Sequence, residues 1–212
     1  MEFVILMVNC NPHLYTPLMK VGDRFLSSEY FKLGKSNQFI DWFIKLCFSK
    51  KIKKGEFLLI EGDKCDKIYY VEKGIIRIFR TEESKEITTW FAKEGDFVTN
   101  VNSFHFDKPS RENFEALEDC VVYGTDRATY RFLIEKSSSF ALFSIHELFY
   151  NLCEVENQCE FLRSLTAKER IDYISKNYPY LLTRVKNKYL SSFLNIETTY
   201  LSKLLANKKT SN

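Results

Sequence analysis

Apolar and polar residues alternate in short runs through the first half of this chain and repeat at helical spacing through the second half. Residues 57–60, 68–71, 75–79, 87–91, 113–117 and 121–123 are strand-length runs rich in Val, Ile, Phe, Tyr and Thr, with Gly55, Gly62, Gly74, Gly95 and Gly124 among the punctuating residues. A compact antiparallel roll or barrel closes that many short strands economically. Ahead of them, Phe39, Ile40, Phe43, Ile44, Leu46 and Cys47 recur at helical spacing and predict a short amphipathic helix over 37–48. Residues 1–36 show no sustained period and read as an arm, in which Met19 offers a second start.

Ser137, Ser138 and Ser139 supply N-cap hydroxyls, and no Gly or Pro follows before Leu165, so one long helix is predicted there. Along it Ala141, Ile145, Leu148, Leu152, Val155, Cys159 and Leu162 follow the alternating four- and three-residue spacing of a coiled-coil seam. That spacing asks for a partner helix; the alternative is that the face packs on the roll, with Phe143, Phe149 and Phe161 available for the contact. Thr166 and Glu169 form a capping-box pattern that starts a further helix, ended near Lys176 by Tyr178-Pro179. The chain therefore reads as α+β: an arm (1–36), a roll (37–136), a long helix (137–165) and a helical C-terminal domain (166–212).

Composition sharpens this at one end only. The net charge is +3, which excludes a polybasic molecule, yet residues 163–212 hold ten Lys and Arg against three acids, Glu169, Asp172 and Glu197. A polyanion partner for the C-terminal end is expected. Six cysteines are scattered without a Cys-x-x-Cys pair, and His13, His105 and His146 have no ligand spacing, so neither a metal nor a cofactor is expected. The apolar run over 3–8 is too short to cross a bilayer and lacks the basic start of a signal peptide, which predicts a cytoplasmic protein without membrane contact.

Function is legible in the segment from Lys188 to Lys209. Leu190, Phe193 and Leu194 give one short helix an apolar face, Asn195 suits a left-handed turn, Ile196 fills the angle, and Leu201, Leu204 and Leu205 bury a second helix. Thr198, Thr199, Ser202 and Lys203 are left outward, with Lys208 and Lys209 at the helix end and Lys188 at the start of the pair. Hydroxyls and a lysine at the front of an exposed helix suit base edges and phosphates in a major groove. With Gly55-Glu56, Glu61-Gly62-Asp63 and the run from Ile68 to Gly74, the order of parts over 37–208 resembles the Crp/Fnr family of bacterial regulators. The resemblance implies a cyclic-nucleotide-binding-type β-roll of the double-stranded β-helix or jelly-roll type and a long dimerisation helix. It also implies a C-terminal helix-turn-helix of the winged type. A homodimer held through Ile145, Leu148, Leu152, Val155, Cys159 and Leu162 would then place its two recognition helices on an inverted-repeat operator in double-stranded DNA. RNA polymerase would be a further contact.

The effector region departs from that family's pattern. Relatives that bind cyclic nucleotide carry a Gly-Glu pair and a downstream Arg-Ser/Thr-Ala, where the Glu takes the ribose hydroxyl and the Arg neutralises the phosphate. Here Gly95 and Asp96 open the matching stretch, Thr99 and Asn100 stand at the Gly-Glu positions, and Ser110-Arg111 puts an Arg one place out of register. This argues against cyclic AMP and leaves another small effector, or none. Arg111 has a plainer reading as a surface residue paired with Glu112 or Glu115. No Ser/His/Asp set, phosphate loop or metal triad suggests an enzyme. The competing reading is a non-DNA protein-interaction module with a vestigial sensor domain.

Overall fold

The computed structural model describes residues 46–210. The arm and nearly all of the helix predicted over 37–48 lie outside the described residues; at its end that expectation is corrected, because Phe48 opens a strand. The strands are β1 (Phe48–Ile52), β2 (Phe57–Leu59), β3 (Lys67–Lys73), β4 (Ile76–Glu82), β5 (Lys85–Ala92), β6 (Phe97–Val98), β7 (Asn113–Ala116) and β8 (Cys120–Asp126). They form two antiparallel four-stranded sheets, ordered β1-β8-β3-β6 and β2-β7-β4-β5. A short helix, α1 (Val101–Phe106), links β6 to β7, and α2 (Arg127–Lys136) follows β8.

Alternation explains the two sheets. Tyr69 and Val71, Ile76 and Ile78, Phe114 and Ala116, and Cys120 and Val122 sit two residues apart and meet with Ile52, Leu59 and Val98 in one buried core. Strand β1 was not apparent in the sequence because its only buried residue is Ile52, and its lysines break the apolar pattern. Gly74 closes the β3–β4 turn at φ +99°, and a side chain there would run into Cys120, so both backbone and space require glycine.

The remaining chain is helical: α3 (Ser138–Ser164), α4 (Ala167–Asn177), α5 (Pro179–Arg184), α6 (Asn187–Leu194) and α7 (Thr198–Thr210). Ser137 caps α3, Thr166 and Glu169 complete the capping box of α4, and Pro179 begins α5. The winged-type expectation is corrected, since no strand flanks α6 and α7 among the described residues. The connectors between these helices hold only a few residues, and the apolar positions around them keep helical rather than alternating spacing, so no hairpin forms.

A second core lies outside the sheets. Ile75, Phe91 and Leu117 of the sheet domain meet Phe161 of α3, Ile171 and Ile174 of α4, Leu181 of α5, Leu190, Phe193 and Leu194 of α6, and Leu201 of α7. The C-terminal helices and the sheet domain are thus packed through one apolar cluster. Leu190 is fully buried in it, and Leu190→Ala should cost about 2–5 kcal/mol, read as a lowered urea midpoint with an unchanged transition slope.

Candidate nucleic-acid interface and effector cassette

The pair α6–α7 is built around its turn. Asn195 takes the left-handed conformation (φ 52°, ψ 52°), and its amide and that of Ile196 close the end of α6 on Ser192 and Ser191 carbonyls. The Ser191 and Thr198 hydroxyls lie 2.7 Å apart, and Leu201 is fully buried, so α7 is fixed on α6 by both polar and apolar contacts. Thr198, Thr199, Ser202 and Lys203 all lie exposed in the first turns of α7. Thr199 and Lys203 are four residues apart and share a face; Ser202 returns its hydroxyl to the Thr198 carbonyl at 3.0 Å. Lys208 and Lys209 belong to the last turns of α7, and nothing further is described of their side chains. Lys188 is exposed on α6, 3.9 Å from Glu86 of β5.

Part of the C-terminal positive charge is spent inside the protein. Arg170 donates to the carbonyls of Leu162 (2.6 Å), Leu165 (3.1 Å) and Leu194 (2.8 Å), tying the end of α3 to the end of α6. Arg184 clasps Glu94 through two bonds and also binds Glu118. On the sheet side, Arg77 of β4 is only 1% exposed, pairs with Glu86 and Glu115, and lies between the rings of Phe79 and Tyr189. Ser192 accepts from the Thr88 amide and donates to the Glu86 carbonyl. Arg77, Tyr189 and Ser192 were not among the sequence candidates. Their only signal was a charged residue between Ile76 and Ile78, which by alternation points away from the inner core.

Helix α3 has two unlike faces. Phe140, Phe143 and Phe161 are buried, and Gln158 donates to the Thr89 carbonyl at 2.8 Å. The opposite face exposes Ile145 (50%), Leu148 (62%), Leu152 (50%) and Val155 (54%), with Cys159 also exposed and Leu162 half-buried. The alternative that this seam packs on the sheet domain is therefore overturned. Phe149, offered for that contact, is 62% exposed beside the seam. The helix turns Phe143 and Phe161, not the seam, toward the sheets.

The effector cassette is occupied by its own hydrogen bonds. Asn100 caps α1 by accepting from the Ser103 amide and donates to Glu112 Oε2 at 2.8 Å. Thr89 donates to Glu112 Oε1 at 3.1 Å, and Thr99 to the Lys67 carbonyl at 2.9 Å. Buried Ser110 is joined to Glu112 through its hydroxyl. Gly95 (φ 91°) and Asp96 form the turn between β5 and β6, where Asp96 holds the Lys93 amide and ammonium. Arg111 is exposed, but its expected pairing is corrected: Glu112 is bonded to Asn100 and Thr89, and Glu115 to Arg77. The structure thus brings Asn100, Ser110 and Glu112 together and leaves Arg111 exposed outside that cluster.

Two antiparallel sheets with a short helix between strands and a helical C-terminal layer define a fold of the cyclic-nucleotide-binding-domain type followed by a helical region. The family profile of the cyclic nucleotide-binding domain matches residues 49–137. The chain is 26% identical over 106 residues to the "cAMP-activated global transcriptional regulator CRP" of Salmonella typhimurium, covering 49% of this chain and 50% of that one. Its fold is similar to that of FixK2 from Bradyrhizobium japonicum (TM-score 0.66, 17% identity, covering 78% of this chain and 85% of that one). It is likewise similar to the "c-di-GMP Responsive Global Regulator CLP" of Xanthomonas campestris (TM-score 0.65, 15% identity, covering 83% and 93%). The chain thus carries a region similar to cyclic nucleotide-binding domains and is similar in sequence and fold to regulators of the Crp/Fnr type. The matched region spans about half the length of the curated relatives.

The Glu94–Arg184 clasp carries a pH signature. Burial raises the Glu94 pKa, but the Arg184 bonds and the Gly74 amide outweigh it and bring it from 4.5 down to about 2. Folded Glu94 therefore protonates at lower pH than unfolded Glu94, and its stabilisation is present above pH 4.5 and lost as pH falls toward about 2. Glu94→Gln should lower the urea midpoint at neutral pH and flatten its fall across that acidic window, followed by tryptophan fluorescence.

Proposed function

We propose that this chain is a sequence-specific, DNA-binding transcription regulator acting as a cytoplasmic homodimer, with the sheet domain read as a β-roll and α6–α7 as a helix-turn-helix. The observation that carries the reading is the exposed row of Thr198, Thr199, Ser202 and Lys203 at the start of α7, on a helix whose opposite side is buried against α6. A helix presented by its first turns can enter a major groove, where hydroxyls and a lysine reach base edges and Lys188, Lys208 and Lys209 suit phosphates. Similarity to transcriptional regulators such as that of Salmonella typhimurium supports a regulatory rather than catalytic role. RNA polymerase is a further contact consistent with such a role.

The apolar seam of α3 supports a second copy of this chain as its cover. Four exposed aliphatic side chains at coiled-coil spacing complement themselves across a two-fold axis, and a two-fold dimer matches an inverted-repeat operator. The relative from Salmonella is titled as cAMP-activated. That ligand is not carried over, because Thr99, Asn100 and Ser110 stand where its binding residues are expected and Arg111 is exposed.

Two measurements test these readings. In selection from a random duplex library at physiological salt, an inverted repeat should be enriched, and its binding should weaken steeply with salt. Lys203→Ala should then cost about 1–3 kcal/mol on the selected site and relax one base position, while Lys208→Ala should weaken all duplexes alike. Equal loss on every sequence for Lys203→Ala removes it as a base reader, and no enrichment with salt-insensitive association favours a protein-interaction module. Leu152→Glu should give monomers in sedimentation velocity while leaving circular dichroism unchanged; persistence of a dimer would move the interface away from α3.

A further inference from the structure

We propose that Arg77 is a positioning residue that fixes the α6–α7 pair on its own sheet, so that the half-site spacing accepted in DNA is set by this chain without an effector; the proposal rests on the DNA-binding reading above. Arg77 stands on the outer side of β4, 1% exposed. Its Nε donates to Thr88 Oγ1 at 3.0 Å and its Nη1 to Glu86 at 2.8 Å and Glu115 at 3.3 Å. Its guanidinium lies 4.1 Å from the ring centre of Phe79, in the same strand, and 3.9 Å from that of Tyr189, in α6. Three residues along α6, Ser192 binds the backbone of Thr88 (2.9 Å) and of Glu86 (3.0 Å).

Two registration points nearly one helical turn apart, both converging on residues 86–88, fix α6 in rotation and in axial position. Apolar contacts such as Phe193 on Trp90 and Phe91 stabilise the packing but are not directional, and by themselves allow sliding. A planar guanidinium stacked between two rings and held in plane by two carboxylates and a hydroxyl is directional, and Lys cannot reproduce it. Because Ser191 and Leu201 fix α7 on α6, the recognition face inherits this register. The next residue of β5, Thr89, holds Glu112 beside Asn100 and Ser110, so the strand that registers α6 is also tied to that cluster within the same chain. With the two sheet domains related through α3, the distance and angle between the two α7 helices follow from contacts internal to each chain.

The test uses the full chain and palindromic duplexes built on the selected half-site, their separation varied in single base-pair steps. The wild type should prefer one separation over its neighbours by about tenfold or more without added ligand. Arg77→Met, which keeps bulk between the two rings but removes the ion pairs, should reduce that preference to about twofold while half-site base discrimination is retained, since α7 itself is untouched. Arg77→Lys should not restore the preference. Ser192→Ala removes the second registration point and should shift the profile in the same direction; it also serves if Arg77→Met does not fold. A general loss of stability lowers affinity on every separation equally, so an unchanged separation profile in a folded variant overturns the proposal while leaving DNA binding intact. A wild type that binds no duplex at any separation overturns the DNA-binding reading and this proposal together.

Discussion

The structure depends on covering the outer side of the β4–β5 sheet. Its inner side is filled by aliphatic and aromatic residues at alternate positions, but the other side carries Arg77, Phe79, Phe91 and Ile75, which neither water nor an open sheet accommodates well. Helices α4 to α7 supply the cover. A charged side chain buried to 1% is tolerated because two carboxylates, a hydroxyl and two ring faces surround it. From that cover follow the orientation of the helix pair, the internal use of Arg170 and Arg184, and the freedom of the α3 seam to face outward.

The cassette illustrates how a fold is kept while its chemistry changes. The α1 helix, its Asn100 cap and the Thr99 and Ser110 bonds to backbone all survive as structural elements. The polar groups are engaged with one another: Glu112 is held by Asn100 and Thr89, Arg127 donates to the Ser103 carbonyl of α1, and Arg111 is exposed to solvent. Likeness of fold and effector chemistry are separate questions for this protein.

Much of the fold was legible in the residues. The strand runs, the 27-residue α3, the capping box at Thr166 and the left-handed Asn195 are local signals, because each depends on side-chain period or on a backbone conformation one residue can reveal, whereas Pro179 was read only as a helix end and in fact starts α5. Strand β1 and the β4–β5 turn were less legible. The first has lysines on an edge, and the second turns through Glu83 and Ser84, both at positive φ, where Asn-Gly would have announced it.

The sequence by itself determined most of the strand runs, the long helix and the helix pair at the C-terminal end, which side of α7 is polar, and where the coiled-coil spacing runs, since these follow from interactions among near neighbours. Only the tertiary structure decided which face of α3 is covered, that Glu112 rather than Arg111 belongs to the cassette, and that Arg170 and Arg184 act inside the protein. It alone brought Arg77 to Tyr189 across 112 positions of chain. A charge in an alternating run says only that the side chain leaves the inner core; whether water or another helix receives it depends on packing between segments distant in sequence.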